Sequence, residues 1–402
     1  MTGSNAIRFA LGAIAVVLSG CTTTGSSSGG LPPGAVRGAV AGPAANRLVG
    51  PGAVLTSKFG GEILGWAIDE NGTDGVLTEI TGVSEPYTSI VETFNQTTAQ
   101  AVKVVRKQKS GPQGNRELVA DAIQANDVGL IDDELRHSGG SFRDKYYVMS
   151  PVTKNKVTGI WTQPYSTDFL IWDIADQQVS SDSAIAATVI DNGISKPPTF
   201  ELVVTDLATN KTSHVLYAPK GDGVNYPYLV AEDTSTHHAY VPAANYSSET
   251  VFMDFDVRSG RVSNNFVAPA FSGPVTGIAV DSATHMMCTT THSTYSVQMY
   301  DLTTKKQIFV GQIPNSGGEG QAGTSIAADP INHLFLVAQP NSLRGGSEIY
   351  VYDEKGNVLE SLTGFDFPSY ELTPGSALQV VASSRSGYVP GPAANQLQSF
   401  TY

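Results

Sequence analysis

Residues 230–241 read VAEDTSTHHAYV, residues 278–289 read IAVDSATHMMCT, and residues 326–337 read IAADPINHLFLV. Asp233, Asp281 and Asp329 recur at an interval of 48 residues, and each is followed four positions later by a histidine: His237, His285 and His333. An apolar pair precedes each aspartate and a short apolar or mixed run follows each histidine. Self-similarity at a fixed period in this range marks a repeat architecture, because one unit cannot bury its apolar face without a neighbour.

Working outward, each unit reads as four short strands. In the unit near Tyr228, Leu229–Ala231 meets the Asp233 turn and a second strand follows through Tyr240 and Val241. A third strand, Val251–Phe255, ends in the turn from Asp256 to Gly260, and a fourth begins at Arg261. The plan recurs with Val297–Tyr300, the turn at Asp301 and Gln307–Val310, and again with Ile349–Tyr352, the turn at Asp353 and Val358–Leu362. β-Branched and aromatic runs of this length between Asp/Ser/Gly/Asn clusters are strand-and-turn signals. Four strands per unit at this period describe a blade of a β-propeller.

Upstream the pattern weakens. Phe200–Thr205 and the Asp206 turn match the Asp301 region, with Phe169–Ile174, Ala184–Ile190 and His214–Tyr217 as partner strands. Tyr146–Ser150 and Lys156–Trp161 supply an earlier outer half. Its inner half, Leu118–Ile123 and Val128–Asp132, also fits a helical turn in its first segment. The first unit takes Ile63–Ile68, a hairpin at Asn71-Gly72, Val76–Ile80, Ile90–Phe94 and Ala101–Val105. Ile90, Phe94, Ala101 and Val105 have near-helical spacing, so helix and strand both fit. The turn Asn95–Thr98, which echoes Asp301–Thr304, favours strands.

At the C-terminus, Tyr388–Asn395 echoes Tyr240–Asn245 with two residues inserted, and Gln396–Thr401 forms a third strand. The last unit therefore lacks a fourth strand. Ala53–Lys58 is the expected donor, closing an edge that would otherwise stay open. The expectation is an all-β, seven-bladed propeller over residues 48–402, its ring closed by an N-terminal strand. The stretch from Tyr228 to Tyr402 resembles seven-bladed propellers with YVTN-type repeats, whose blades carry an Asp turn, a Tyr-Val second strand and an Asp-x-x-Thr-Gly-like turn. NHL and lactonase-type propellers share these features.

The N-terminus carries an address. Arg8 precedes an apolar stretch, Phe9–Leu18, too short to span a bilayer as a mature helix. It ends in Leu18-Ser19-Gly20-Cys21, which resembles a bacterial lipobox. That resemblance implies a signal peptide over residues 1–20, acylation (palmitate) of Cys21, and a lipid-anchored protein on an extracytoplasmic membrane face of the cell envelope. Thr22 after the cysteine suggests the outer membrane if the cell is Gram-negative. Residues 21–47, rich in Thr, Ser, Gly and Pro, read as a flexible tether. With Cys21 used as anchor, Cys288 has no disulfide partner.

A formal charge of −13 lacks the basic footprint of a nucleic-acid binder. The Asp–x3–His set is expected to be structural: Asp accepting backbone N–H bonds in the turn, His packing against the next blade. Asp69–Gly75 superficially resembles a calcium loop but has no glycine at the sixth position and Ile80 at the twelfth, so a hairpin explains it better. No metal and no cofactor are expected. No nucleophile elbow, metalloprotease helix or phosphate loop occurs, so no catalytic residue is named and a binding module is favoured over an enzyme. Blade-to-blade connections are rich in aromatics, and Trp161, Tyr165, Tyr226 and Phe367 are the candidate binding residues. The sequence thus points to a scaffold for an unidentified protein or small-molecule ligand, with a lactonase-like hydrolase of a small cyclic ester or sugar derivative as the alternative.

Overall fold

The computed structural model describes residues 50–402, apart from 69–73, 82–87, 110–115, 125–127, 137–140, 150–156, 162–164, 167–175, 180–182, 191–198, 207–210, 218–219, 222–228, 247–248, 270–274, 292–294, 317–324, 341–345 and 368–377. The described strands make seven sheets. β1 (Gly50–Thr56) precedes a first meander of β2 (Glu62–Ile68), β3 (Asp74–Thr81), β4 (Thr88–Asn95) and β5 (Gln100–Lys109). The second sheet has β6 (Arg116–Gln124), β7 (Val128–Arg136) and β8 (Ser141–Met149), with β9 (Val157–Trp161) and β10 (Tyr165–Ser166) both pairing β8. The third has β11 (Asp176–Val179), β12 (Ser183–Ile190), β13 (Thr199–Asp206) and β14 (Lys211–Tyr217).

The fourth sheet adds a short parallel strand, β15 (Lys220–Gly221), to β16 (Ala231–Asp233), β17 (His238–Tyr246), β18 (Glu249–Asp256) and β19 (Arg261–Pro269). The fifth is β20 (Val275–Asp281), β21 (Met286–Thr291), β22 (Ser296–Asp301) and β23 (Lys306–Gln312); the sixth is β24 (Ser325–Asp329), β25 (Leu334–Gln339), β26 (Ser347–Asp353) and β27 (Val358–Phe365). The seventh is β28 (Gln379–Val381), β29 (Ser386–Pro390) and β30 (Gln396–Thr401), completed by β1, which pairs antiparallel with β30 in the register Leu55↔Leu397 and Thr56↔Gln396. The chain is all-β: among the described residues there is no α-helix, only a 3-10 turn at Ala382–Ser384.

The hairpins follow from their turn residues. His237, His285 and His333 have φ of 59°, 58° and 55°, the left-handed conformation that ends a four-residue turn and returns the chain into the next strand. Short polar side chains and histidine tolerate that region better than β-branched residues. The turns between third and fourth strands use the same device. Asn95 Oδ1 accepts from the amides of Thr97 and Thr98 at 3.0 and 2.8 Å, as Asp301 Oδ1 does from Thr303 and Thr304 at 2.9 and 3.1 Å. Ala99 and Lys305 then take the left-handed position, with φ of 51° and 54°. Burial opposes the charge of Asp301, but the hydrogen bonds from Thr304 and Thr303 outweigh it and hold the carboxyl below its ordinary range.

Side-chain alternation then sets the packing. The first strands of successive sheets lie beside one another: β28 beside β2, β2 beside β6, β6 beside β11, β16 beside β20, β20 beside β24 and β24 beside β28. Apolar seams fill the spaces between sheets. Phe252 and Phe266 stack with centroids 5.2 Å apart, and Tyr300 of the fifth sheet meets Phe252 edge-on at 5.4 Å. Leu55, Phe94, Phe365, Leu397 and Phe400 belong to one cluster that includes residues of the first, sixth and seventh sheets. Each such side chain contributes roughly 1.5–3 kcal/mol by leaving water, so the seams carry most of the cohesion.

Several expectations change in detail. The segments with near-helical spacing, Leu118–Ile123 in β6 and Ile90–Val105 across β4 and β5, are strands, because ladder pairing of β6 with β7 and of β4 with β3 and β5 outweighs a local helical period. The strand beside β12 is Asp176–Val179, while the expected Phe169–Ile174 lies outside the described residues. The N-terminal strand begins three residues earlier than expected, at Gly50. Residues 1–49, with Leu18, Ser19, Gly20 and Cys21, lie outside the described residues.

Candidate functional site

The turns joining first and second strands gather the polar groups that the repeat singles out. Asp233 lies at the end of β16 with its side chain 1 % exposed. Its Oδ1 accepts from the Ser235 amide at 3.1 Å and from the Ser235 hydroxyl at 2.6 Å, closing its own turn. Its Oδ2 reaches out of the sheet to His285 Nδ1 at 2.8 Å. One turn further, Asp281 Oδ1 accepts from the Ala283 amide at 2.8 Å and Oδ2 meets His333 Nδ1 at 3.0 Å. Each histidine therefore reaches back to the aspartate of the preceding sheet, 52 residues earlier. The expected interplay of Asp turn and neighbouring blade is present, with the direction reversed from a histidine packing forward.

The third aspartate departs from this rule. Asp329 closes its turn through the Ile331 and Asn332 amides at 3.0 and 2.9 Å, but the turn of the seventh sheet has Val381 and Arg385 where Asp and His would stand. Tyr402 substitutes: its hydroxyl donates to Asp329 Oδ2 at 2.7 Å, its amide donates to the Arg385 carbonyl at 3.0 Å, and Arg385 lies over its ring at 5.3 Å. Burial and the Asp329 carboxylate push the Tyr402 phenol far above its ordinary value, so it stays a donor. No local sequence signal marked Tyr402 for this role.

Around His333 a second acid enters. Asp281, His333 and Glu354 offer one ligand atom each, all within 4.8 Å of one another. The Thr284 hydroxyl donates to Glu354 Oε1, which aims that carboxylate at the pair. The hydrogen bond to Asp281 raises the His333 imidazole above its ordinary value; burial opposes this, and the charges of Asp281 and Glu354 add to it.

Two further constellations were not read from the sequence. Asp254, 3 % exposed, takes His238 Nδ1 at 2.5 Å on one oxygen and Lys305 Nζ at 2.7 Å on the other, tying the fourth sheet to a turn of the fifth. Glu79 and Glu92 are fully buried in the first sheet. Glu79 accepts the Gly61 amide at 2.8 Å and the Phe59 amide at 3.3 Å, and Glu92 Oε1 accepts the Lys58 amide at 3.0 Å. Glu92 Oε2 has no hydrogen-bond partner among the described residues, and burial pushes this carboxyl above its usual range against the Lys58 hydrogen bond, with Glu79 adding to the rise.

Of the candidate aromatic residues, Phe367 alone has a described side chain. Phe367 is 1 % exposed and packs with Phe365 at 5.9 Å, so it belongs to the core and leaves the candidate set. The connection after β27 turns inward there, and the Phe367 carbonyl accepts from the Ser347 hydroxyl at 2.7 Å. Trp161 ends β9 opposite Lys145, and Tyr165 pairs with Phe142, so the two lie on strands that both pair β8. Tyr226 falls outside the described residues. Cys288 is buried, and burial pushes its thiol far above the ordinary value, which makes it an inert core residue.

No family model and no curated protein matches the sequence. Among solved structures, the fold is similar to the β-propeller domain of Myceliophteria thermophila Cps50 (Swd1), at 10 % identity and a TM-score of 0.49, covering 87 % of this chain and 99 % of that one. It is likewise similar to the Dos1 propeller, at 10 % identity and a TM-score of 0.49, covering 88 % of this chain and 95 % of that one. No described helix is long and apolar enough to cross a membrane.

Proposed function

We propose that this chain is a lipid-anchored, extracytoplasmic binding scaffold whose seven sheets are the blades of a closed β-propeller. The observation that carries the scaffold reading is how its polar side chains are used. Asp233, Asp281 and Asp329 each close a turn with one oxygen and hold a neighbouring sheet with the other. Charged groups consumed in this way make a rigid frame on which connecting segments can present a binding surface. Closure is supported by side-chain bonds between the first and last sheets. Gln379 donates to the Trp66 carbonyl at 2.7 Å and accepts from the Ile68 amide at 3.0 Å, and the Tyr388 hydroxyl donates to the Gln96 carbonyl at 2.5 Å.

Anchoring rests on the resemblance of Leu18-Ser19-Gly20-Cys21 to a lipobox. Multiple acyl chains on Cys21 would hold the protein stably where one would not. Metabolic palmitate labelling checks it: wild type should take label, and Cys21→Ser should not and should leave the membrane fraction. Label on Cys21→Ser, or its unchanged membrane partition, overturns the anchor.

The working face is assigned to the connections between sheets, with Trp161, Tyr165 and Tyr226 as its remaining candidates. Aromatic side chains supply area at low rotamer cost and keep a polar handle. A photo-crosslinking residue at Tyr165 should give a discrete adduct in cells, and the same residue at the exposed Thr303, on the face of the Asp turns, should give none. The reverse pattern would move the site, and turnover of a small lactone would favour the hydrolase reading.

A further inference from the structure

The strand registers make one position comparable in four sheets. Asp256 pairs with His238, Asp301 with Met286 and Asp353 with Leu334, so Val257, Leu302 and Glu354 follow the ends of β18, β22 and β26 at equivalent places, and Tyr402 follows β30 at the matching one. Val257 and Leu302 are buried apolar residues, 6 % and 5 % exposed. Glu354 replaces an apolar cover with a carboxylate beside an aspartate that is already fully buried. With His333 protonated, the group of two carboxylates and one imidazolium still carries a net negative charge.

We propose that Asp281, His333 and Glu354 form a binding site for a divalent metal of the zinc class. Zinc bonds of about 2.0–2.2 Å to imidazole nitrogen and carboxylate oxygen place tetrahedral ligands about 3.3 Å apart. Asp281 Oδ2 and His333 Nδ1 already stand 3.0 Å apart. Glu354, within 4.8 Å of both, need only swing inward, and its side chain is partly exposed. One nitrogen and two oxygens suit zinc better than calcium or magnesium, which prefer all-oxygen sets, and better than cuprous ion, which prefers sulfur.

Binding replaces the Nδ1 proton with a metal–nitrogen bond and releases that proton to solvent; water fills the open positions. Two carboxylates, a neutral imidazole and a dication then sum to zero charge. Asp281 Oδ1, fixed by the Ala283 amide, and the Thr284 hydroxyl on Glu354 orient the two acids. This revises the expectation of no metal at one position only. The Asp233–His285 pair has the same geometry but Leu302 in place of the second acid, which makes it a control within the same molecule.

The experiment titrates zinc into purified, untagged, metal-stripped protein by calorimetry and reads cobalt by its visible ligand-field bands. Wild type should take one zinc per chain. Glu354→Leu, which gives this column the side chain its neighbour has, should weaken zinc by roughly tenfold or more and abolish the cobalt bands, and His285→Gln should leave both readings unchanged. Glu354→Gln, which keeps an acceptor for Thr284, guards against misfolding of the leucine variant and should weaken zinc likewise. No uptake by wild type, equal uptake by the Glu354 variants, or equal loss in His285→Gln would each overturn the site.

Discussion

In the turns at Asp233 and Asp281, one carboxylate oxygen closes the turn and the other takes a histidine from the next sheet. Where the sixth sheet meets the seventh, and the seventh meets the first, that arrangement gives way to single contacts. Tyr402 stands in for a histidine, Gln379 bridges the backbone of β2, and Glu79 with Glu92 holds residues 58–61 after β1. The difference shows how a repeat is ended. The fourth, fifth and sixth units share one solution at their two junctions because like units meet there. The units that join the two ends of the chain meet partners from a different part of the sequence, and their contacts must be made individually.

Removing β1 is the strongest way to break this comparison. Deleting residues 50–56 strips β30 of one of its two partners and takes Leu55, fully buried, out of its cluster. Aggregation or loss of a cooperative melt is expected, read by light scattering and calorimetry. An unchanged melt would mean that the seventh sheet does not depend on the N-terminal strand. Asp329→Ala comes next. It removes three turn bonds and leaves the buried Tyr402 hydroxyl without its acceptor, at a cost of about 3 kcal/mol in urea unfolding. His285→Gln, in the interior, should cost about 1 kcal/mol. If it equals the Asp329 variant, interior and seam are held with equal strength and the contrast fails.

The smallest effect is one of pH. The folded pKa of Glu92 is raised, so its contribution to stability is complete below the unfolded value and is lost as pH rises through the folded one. Glu92→Gln should therefore gain stability relative to wild type at neutral pH, with the gap closing as pH falls through the carboxylate range. Parallel melting curves for the two proteins across pH 4–8 would show that Glu92 is not strained at neutral pH.

What the sequence displayed of this molecule depended on repetition. Strands from β16 to β27 were legible because Asp233, Asp281 and Asp329 stand at one period, and the echo of Asp301 in Asn95 pointed correctly to a turn between β4 and β5. β11 was not legible: Asp176-Gln177-Gln178-Val179 has no apolar alternation, so its pairing with β12 alone makes it a strand. Phe367 looked like a loop aromatic because nothing local reveals that its segment turns into the core. Glu354 was invisible for a related reason. Its neighbours Thr284 and His333 are set by how the fifth and sixth sheets lie together, and the metal-binding geometry exists only after that packing.

The pairing of β1 with β30 also has a mechanical consequence. Gly50 lies opposite Thr401 and Thr56 opposite Gln396, so the leading end of β1 and the trailing end of the chain sit at the same end of the hairpin-like pair. Tension applied between the two chain ends would open that ladder one rung at a time, like a zip, rather than shearing all its rungs together. The seventh sheet is then the weak link under load, and a single-molecule pulling trace should release about seven residues of β1 at low force before any other sheet yields.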